Sequence, residues 1–290
     1  MDTSPAHPAP QHVALVYHEG IADAEPIARE MAATIRACGD GRAADLFSQK
    51  DPAYIENLGR YDLAIALGGD GTILRVSHVC ARKNIPVLGV NLGRLGFLAE
   101  LQRGDWKPGL EKICRGEYWF EHRMMLHVKQ ERAGATLGEW DVLNECVVAR
   151  GGGMKLVQLE TSVDGQPLTT YAADGLIAAT PTGSTAYALA AGGPILPPEM
   201  HAILLVPVAP HLSVERAVVL PEGAEVVIRV HTESPAVLSC DGHHHSEVLN
   251  GDRVVIRVSD RSVRFVRVQG RGYFYRNITT RLNRNPQPGG

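Results

Sequence analysis

The chain has no C-x-x-C pair, no G-x-x-x-x-G-K-S/T loop, no apolar run of bilayer length and no surplus of basic residues. Each absence removes a class of protein. Five cysteines (Cys38, Cys80, Cys114, Cys146 and Cys240) are scattered over 290 residues. An odd, dispersed set points to reduced thiols in a reducing compartment and not to a disulfide framework. No stretch approaches the length of a membrane span. Lys and Arg number 29 against 32 Asp and Glu, which excludes a nucleic-acid footprint spread over the whole chain. The P-loop is missing altogether. Residues 1–11 are rich in Pro and Ala, without a basic n-region or an apolar h-region. They are expected to form a short disordered tail and not a signal peptide, so a soluble, cytoplasmic protein is expected.

Hydrophobic residues make up 44% of the chain, enough for a sizeable core, and the length favours two domains. Residues 12–18 (HVALVYH), 62–67 (DLAIAL) and 85–90 (IPVLGV) are short apolar runs that predict buried strands. Residues 24–38 carry Ile27, Met31, Ala32 and Ile35 at helical spacing, and 73–82 read as a second helix. Such alternation, with nearly continuous apolar strands, implies a parallel sheet covered on both faces. Beyond about Glu121 the pattern turns to short strand candidates: 126–130, 141–149, 156–164, 224–230, 236–239, 253–258 and 263–268. Asp164-Gly165, Asp241-Gly242 and Asn250-Gly251 punctuate them as turns. The expected fold is an α/β N-terminal domain with a parallel sheet over residues 12–120 and a β-rich domain over 121–270, closed by a segment at 271–290. From Arg261 onward there are seven arginines and no acidic residue. That pattern fits either a solvated strand and helix face or an edge that meets phosphates or a partner subunit.

Four segments carry chemistry. In Leu67-Gly68-Gly69-Asp70-Gly71-Thr72, glycines at the carboxyl end of a parallel strand let the backbone turn sharply and approach a ligand. The helix that follows offers free N–H groups to phosphate. A carboxylate placed in such a loop would repel phosphate unless it accepts a proton or holds a metal; the alternative is that Asp70 caps the helix. The second segment, residues 89–98, is a G-x-G-x-x-G loop broken at Asn91. Phe97 either lies against an adenine face or belongs to the core. Third, Asn144-Glu145 interrupts an apolar strand, and such groups need partners, ribose hydroxyls among them, unless the strand is an edge facing water. Fourth, residues 171–187 (YAADGLIAATPTGSTAY) lead from a strand into a hydroxyl-rich turn. There Thr182, Ser184 and Thr185 are placed to bind phosphate or ribose, and Ala186, Ala188, Ala190 and Ala191 leave room for a planar ring.

With these residues in view, the chain resembles the NAD kinases. The GGDGT loop, the Asn-Glu pair, the TPTGSTAY run, Ala191-Gly192-Gly193-Pro194, Ala209-Pro210-His211 and Ser239-x-Asp241-Gly242 follow in that family's order. The likeness covers residues 13–284. GGDG alone is shared with diacylglycerol and sphingosine lipid kinases, whereas the TPTGSTAY run is specific. The resemblance implies an NAD kinase/diacylglycerol kinase-like fold, with NAD bound between the two domains and the final segment returning to the first. It implies transfer of a phosphoryl group from ATP or polyphosphate to the adenosine-ribose 2′-hydroxyl of NAD, giving NADP, with Asp70 as proton acceptor. Gly68, Gly69 and Thr72 would form the phosphate-donor loop. Gly71, Arg75, Phe97, Asn144, Glu145, Lys155, Ala172, Asp174, Thr185, Ala186, Tyr187, Ala188, Ala190 and His243 would bind NAD. The divalent ion, Mg²⁺ by expectation, would arrive with the donor, because no all-protein metal cage is visible. The family also implies a homodimer or homotetramer.

Two positions depart from the family pattern. His243-His244-His245 stands where a Gln usually follows Asp-Gly. Neighbouring strand residues point to opposite faces, so the three rings do not converge readily on a metal, and His243 is expected to take over the glutamine's contact. Ala172 occupies a position at which many relatives carry a basic residue. The competing readings are a non-catalytic NAD or nucleotide sensor and a lipid kinase; a dehydrogenase is disfavoured by the broken fingerprint at Asn91.

Overall fold

The computed structural model describes residues 7–93, 96–152, 155–211, 215–276 and 278. The chain divides into two compact units, one containing the residues up to His122 together with those from Val263 onward, the other Arg123–Ser262. The chain thus returns to its first unit at Val263, earlier than the expected closing segment at 271–290.

In the first unit, four strands run parallel in the order Ala43–Ser48, His12–Tyr17, Leu63–Gly68, Val87–Asn91. Phe265 adds a parallel pairing to Val87. Leu63–Gly68 and Val87–Asn91 are buried at every position, as strands covered on both faces must be. Ala24–Ala37 and Trp106–Cys114 bring Met31, Ile35, Trp106 and Leu110 onto Val13, Leu15, Leu63, Ile65 and Val90 in one core. Asp70–Lys83 buries Ile73, Leu74, Val76 and Cys80. Some elements were not expected from the pattern. Ala43–Ser48 is a half-exposed edge strand without a continuous apolar run. Pro52–Asn57 is a short helix begun by Asp51, whose carboxylate accepts the Ala53 N–H at 2.8 Å, with Pro at the first helical position. Within the expected tail, His7 stacks on Tyr118 with centroids 5.0 Å apart, and the Tyr118 hydroxyl donates to the Pro8 carbonyl at 2.9 Å. Residues 7–11 are therefore tied down by aromatic contacts, while residues 1–6 lie outside the described residues.

The second unit pairs two antiparallel sheets. One has the order Gln166–Ala173, Val157–Val163, Val226–His231, the strand that begins at Arg253, the strand that ends at Arg132, and Ala135–Val142. The other runs Val218–Pro221, Ala202–Val208, Gly175–Ala179, Glu145–Arg150, Ala236–Cys240, His244–Val248. Val128, Cys146, Val148, Leu159, Tyr171, Leu176, Leu205, Ile228, Leu238 and Ile256 interdigitate between them, the core of a sandwich. The second sheet is also covered on its other side, where Ile177, Ala179, Leu204 and Val206 pack on Ala188 and Leu196. This double burial explains the continuous apolar strand AILLVPV at Ala202–Val208.

Two sequence expectations change. Residues 253–258 and 263–268 belong to one strand, Arg253–Arg267. Its polar middle stays extended because Ser259 donates to Asp141 at 2.8 Å and Arg261 pairs with the same carboxylate. Residues 141–149 are not one strand: Ala135–Val142 ends and Glu145–Arg150 begins around Leu143-Asn144. No described helix is long and apolar enough to cross a membrane.

Leu205 is fully buried in the sandwich core. Leu205→Ala should cost about 2–5 kcal/mol in urea unfolding; a loss below about 1 kcal/mol would mean that the core collapses around the gap.

Candidate active site

The Leu63–Gly68 strand delivers the backbone into Gly69, which is the helix N-cap without any side-chain cap bond. Asp70 is the first residue of the helix, so it does not serve as the cap. Its carboxylate instead accepts the N–H groups of Phe97, at 2.7 Å, and Leu98, at 3.2 Å. Two backbone donors from another loop thus fix the direction of a half-buried anion at the carboxyl end of a parallel sheet. Gly96 makes this fit possible, because a methyl group there would overlap the Asp70 carboxylate. Thr72 is buried, whereas Gly71 and Arg75, four residues apart, share an exposed face. The loop that breaks the dinucleotide fingerprint is closed by Asn91, whose amide donates to the Gly93 carbonyl and to Gln102 at 3.1 Å each. Phe97 is half-buried, and its N–H is what holds Asp70. Arg94 and Leu95 lie outside the described residues.

In the second unit the Asn144-Glu145 pair sits on a corner: Asn144 lies in the break after Ala135–Val142, and Glu145 opens Glu145–Arg150, an inner strand of its sheet. The Asp241 carboxylate accepts three consecutive N–H groups, from Leu143 at 2.7 Å and from Asn144 and Glu145 at 2.9 Å each. Those groups are taken from the sheet ladder, so the strand must break there. Asp241 itself has φ 48°, a left-handed conformation that aspartate tolerates better than most residues. From the opposite direction, Thr180 donates its hydroxyl to the Leu143 carbonyl at 2.6 Å and its N–H to the Asn144 carbonyl at 2.8 Å. Gly183 presses against the Asn144 backbone with no room for a Cβ. The Asn-Glu pair and the TPTGST turn therefore meet at one place.

Glu145 is only 9% exposed, and its Oε2 has no hydrogen-bond partner among the described residues. Burial, with the nearby Asp241 carboxylate adding to it, pushes its pKa up to about 8, and the Tyr187 N–H offsets this only in part. At neutral pH Glu145 is a protonated acid able to donate as well as accept.

The hydroxyl-rich turn is mostly committed to its own shape. Ser184 donates to the Pro181 carbonyl at 2.6 Å and accepts the Leu196 N–H at 2.9 Å. The Thr182 hydroxyl accepts from Arg123 at 3.1 Å, and the Thr185 hydroxyl donates to the Thr182 carbonyl at 3.0 Å. Thr182 and Ser184 are buried and so are structural, while Thr185 and Ala186 are half-buried and Tyr187 and Ala190 exposed. Ala188 is fully buried against Ile177 and Leu204 and presents no side-chain surface to a ligand.

The other expected residues are spread more widely. Asp174 accepts from the Arg150 guanidinium at 2.5 Å, and the carbonyl of half-buried Ala172 accepts the His211 N–H at 2.8 Å. Lys155 is exposed, pairs with Glu233, and borders a hollow with Gln158, His231 and Asn250 that includes none of the corner residues. His243, His244 and His245 are all exposed, and His243 Nδ1 lies 2.6 Å from the Asp241 carbonyl. Among the described residues no three His, Cys, Asp or Glu side chains are grouped as a metal site. Asp241 and Gly96 are the residues that sequence reasoning passed over. In the sequence Asp241 reads as a turn residue and part of a family motif, and Gly96 as part of a broken fingerprint.

Residues 53–118 match the family model described as the ATP-NAD kinase N-terminal domain, and residues 143–268 match that of the ATP-NAD kinase C-terminal domain. The NAD kinase of Chloroflexus aggregans is 44% identical over 224 residues, 77% of this chain and 81% of that protein. The NAD kinase of Dehalococcoides mccartyi is 36% identical over 274 residues, 94% of this chain and 96% of that protein. The chain belongs to the NAD kinase family. Among solved structures, yeast NADH kinase complexed with NADH is similar with a TM-score of 0.80 and 26% identity, covering 96% of this chain and 89% of that one. The NAD kinase from Archaeoglobus fulgidus has the same fold, with a TM-score of 0.74 at 24% identity over 94% of this chain and 99% of that one. The α/β unit and the β-rich unit are thus those of an NAD kinase, and the chain is an enzyme of that class.

Gly96→Ala should displace the Asp70 carboxylate and lower kcat by on the order of 10²-fold; turnover at the native rate would show that this contact does not orient the acid. Glu145 gives a pH signature. Its pKa rises from 4.5 to about 8 in the folded enzyme, so the native state keeps a proton that the unfolded chain releases. Stability from this group is therefore present at low pH, declines as pH rises from about 5 to about 8, and levels off above that. The Tm of the native enzyme should fall relative to that of Glu145→Gln across this window. Parallel Tm curves would mean that Glu145 is not the titrating group.

Proposed function

We propose that the enzyme transfers a phosphoryl group from ATP or polyphosphate to the adenosine-ribose 2′-hydroxyl of NAD, forming NADP, with Asp70 accepting the hydroxyl proton. The observation that carries this reading is the Asp70 carboxylate, aimed by the Phe97 and Leu98 N–H groups at the glycine-rich end of a parallel strand. Phosphoryl transfer demands mainly positioning and charge neutralisation from the protein. A ribose hydroxyl is a poor nucleophile until its proton has an acceptor. As that proton passes to Asp70, the 2′-oxygen forms its bond to phosphorus, and the bond to the leaving phosphate breaks. ATP as donor is supported by the description of the matched family as ATP-NAD kinases.

Asn144 and Glu145 supply the polar partners for ribose and the nicotinamide side. Glu145 is buried, and its Oε2 has no hydrogen-bond partner among the described residues. The Tyr187 N–H reaches Glu145 from the turn that also carries Ala186, and Lys155, Ala172, Asp174, Thr185, Ala190 and His243 are assigned to NAD on the family pattern. The described residues offer no cluster to cage a cation. On the family pattern a divalent ion such as Mg²⁺ would come with the donor's phosphates, whose charge it would neutralise when bound. All five cysteines are free thiols, which supports a reducing, cytoplasmic setting.

The test is NADP formation from NAD and Mg²⁺, with ATP and polyphosphate supplied in separate reactions. Asp70→Asn should lose at least about 10²-fold to 10⁴-fold in turnover, the worth of a general base, while calorimetry still finds NAD bound. Retained turnover at saturating NAD would remove Asp70 from the role of base.

A further inference from the structure

The amides that hold Asp70 must themselves be held. Leu98 gives its N–H to the Asp70 carboxylate, and its carbonyl accepts from Arg267 Nη1 at 3.0 Å. The same residue thus has one polar group on the acid and the other on a guanidinium. Arg267 is 4% exposed and is itself gripped. Glu121 Oε1 accepts from its Nη2 at 2.8 Å and from its Nε at 3.2 Å, and Glu100 Oε2 lies 3.5 Å from Nη1. The second oxygen of Glu100 accepts the N–H groups of Val268 and Gln269, at 2.9 Å each, which locks the backbone just beyond Arg267. The side chain also lies over the face of Phe265, 5.0 Å from the ring centre.

We propose that Arg267 is a positioning residue of the phosphoryl-transfer site, setting the Phe97-Leu98 backbone so that its amides aim the Asp70 carboxylate at the acceptor hydroxyl. The proposal rests on Asp70 being the proton acceptor. A salt bridge that served only stability would have no need to reach the Leu98 carbonyl, and buried ion pairs give little net stability against apolar packing. A planar fork, in contrast, can grip a glutamate on one edge and a carbonyl on another, which an ammonium group does far less well. The charged and titratable groups facing Arg267 are Glu121, Glu100 and Tyr273. Its effect on Asp70 passes through a single residue, Leu98, whose N–H and C=O belong to consecutive peptide units.

The experiment compares the full-length enzyme with Arg267→Lys, Glu121→Gln and Asp70→Asn, measuring kcat, KM for NAD, the pH profile of kcat, and Tm. Arg267→Lys keeps the charge opposite Glu121 but loses the fork. It should lower kcat by about 10-fold to 100-fold, as loss of an outer supporting partner does, with KM for NAD within about twofold of native. The acid limb of the kcat profile should move to higher pH, because a carboxylate robbed of N–H donors holds its proton more tightly. Glu121→Gln leaves Arg267 in place on a weaker anchor and should move both quantities the same way by a smaller amount; it decides the matter if Arg267→Lys does not fold. A folded Arg267→Lys with native kcat and acid limb overturns the proposal. So does a lowered Tm with kcat and KM changed together and the acid limb unmoved, since that is the mark of a structural ion pair alone. Asp70→Asn separates the two ideas. If it turns over with the acid limb intact, the base assignment fails whatever Arg267 does; if it is inactive while Arg267→Lys is native, only the positioning role falls.

Discussion

A carboxylate withdrawn from water has to be given hydrogen-bond donors, and backbone N–H groups are the donors a fold can aim most rigidly. Both units of this enzyme are organised around that requirement. In the second unit, Asp241 gathers the N–H groups of three successive residues, and the strand that would have passed through Leu143 and Asn144 is forced to stop and start again. That interruption places Glu145 at the head of a new strand, beside the turn that Thr180 and Gly183 bind to the corner. In the first unit, Asp70 takes two N–H groups from residues 97 and 98, and the glycine before them leaves the acid its space. The two acids differ in exposure: Asp241 is buried, whereas Asp70 is half-buried.

Much of this could be read from the amino acids because it depends on local pattern. The runs at His12–Tyr17, Leu63–Gly68 and Val87–Asn91 are apolar on both faces and so announce a covered parallel sheet. GGDGT announces its strand-to-helix junction through glycines and an acid that no ordinary turn requires. Other features depended on partners far along the chain. The break at Asn144 is imposed by Asp241, 97 residues away, and no window around residue 144 contains that information. The role of Gly96 comes from the side chain of Asp70, which a motif reading of the second loop does not include.

The hydroxyl run teaches the complementary lesson. Thr182, Ser184 and Thr185 look like ligands because such groups favour phosphates, but hydroxyls also close turns on their own backbone. Here Ser184 donates to Pro181 within the turn and accepts from Leu196 beyond it, and Thr182 is taken by Arg123. Lys155 and Asp174 likewise meet Glu233 and Arg150 before any ligand arrives. Residue type and order identify the family through the whole motif set; which atoms of that set remain available is decided by tertiary contacts.

The first unit is assembled from the two ends of the chain, and this bears on how the enzyme is made. A ribosome releases roughly 5–20 residues each second from the N-terminus onward, so Glu100 and Glu121 emerge well before the guanidinium that neutralises them. The Phe265 pairing to Val87 is equally late. Until the whole second unit has been translated, two glutamates destined for burial must stay hydrated, and the Val87 flank of the parallel sheet is left without its last neighbour. Completion of the fold around Asp70 is thereby delayed to the end of synthesis, and a ribosome that stalls inside the second unit leaves a chain whose acid loop lacks its anchor.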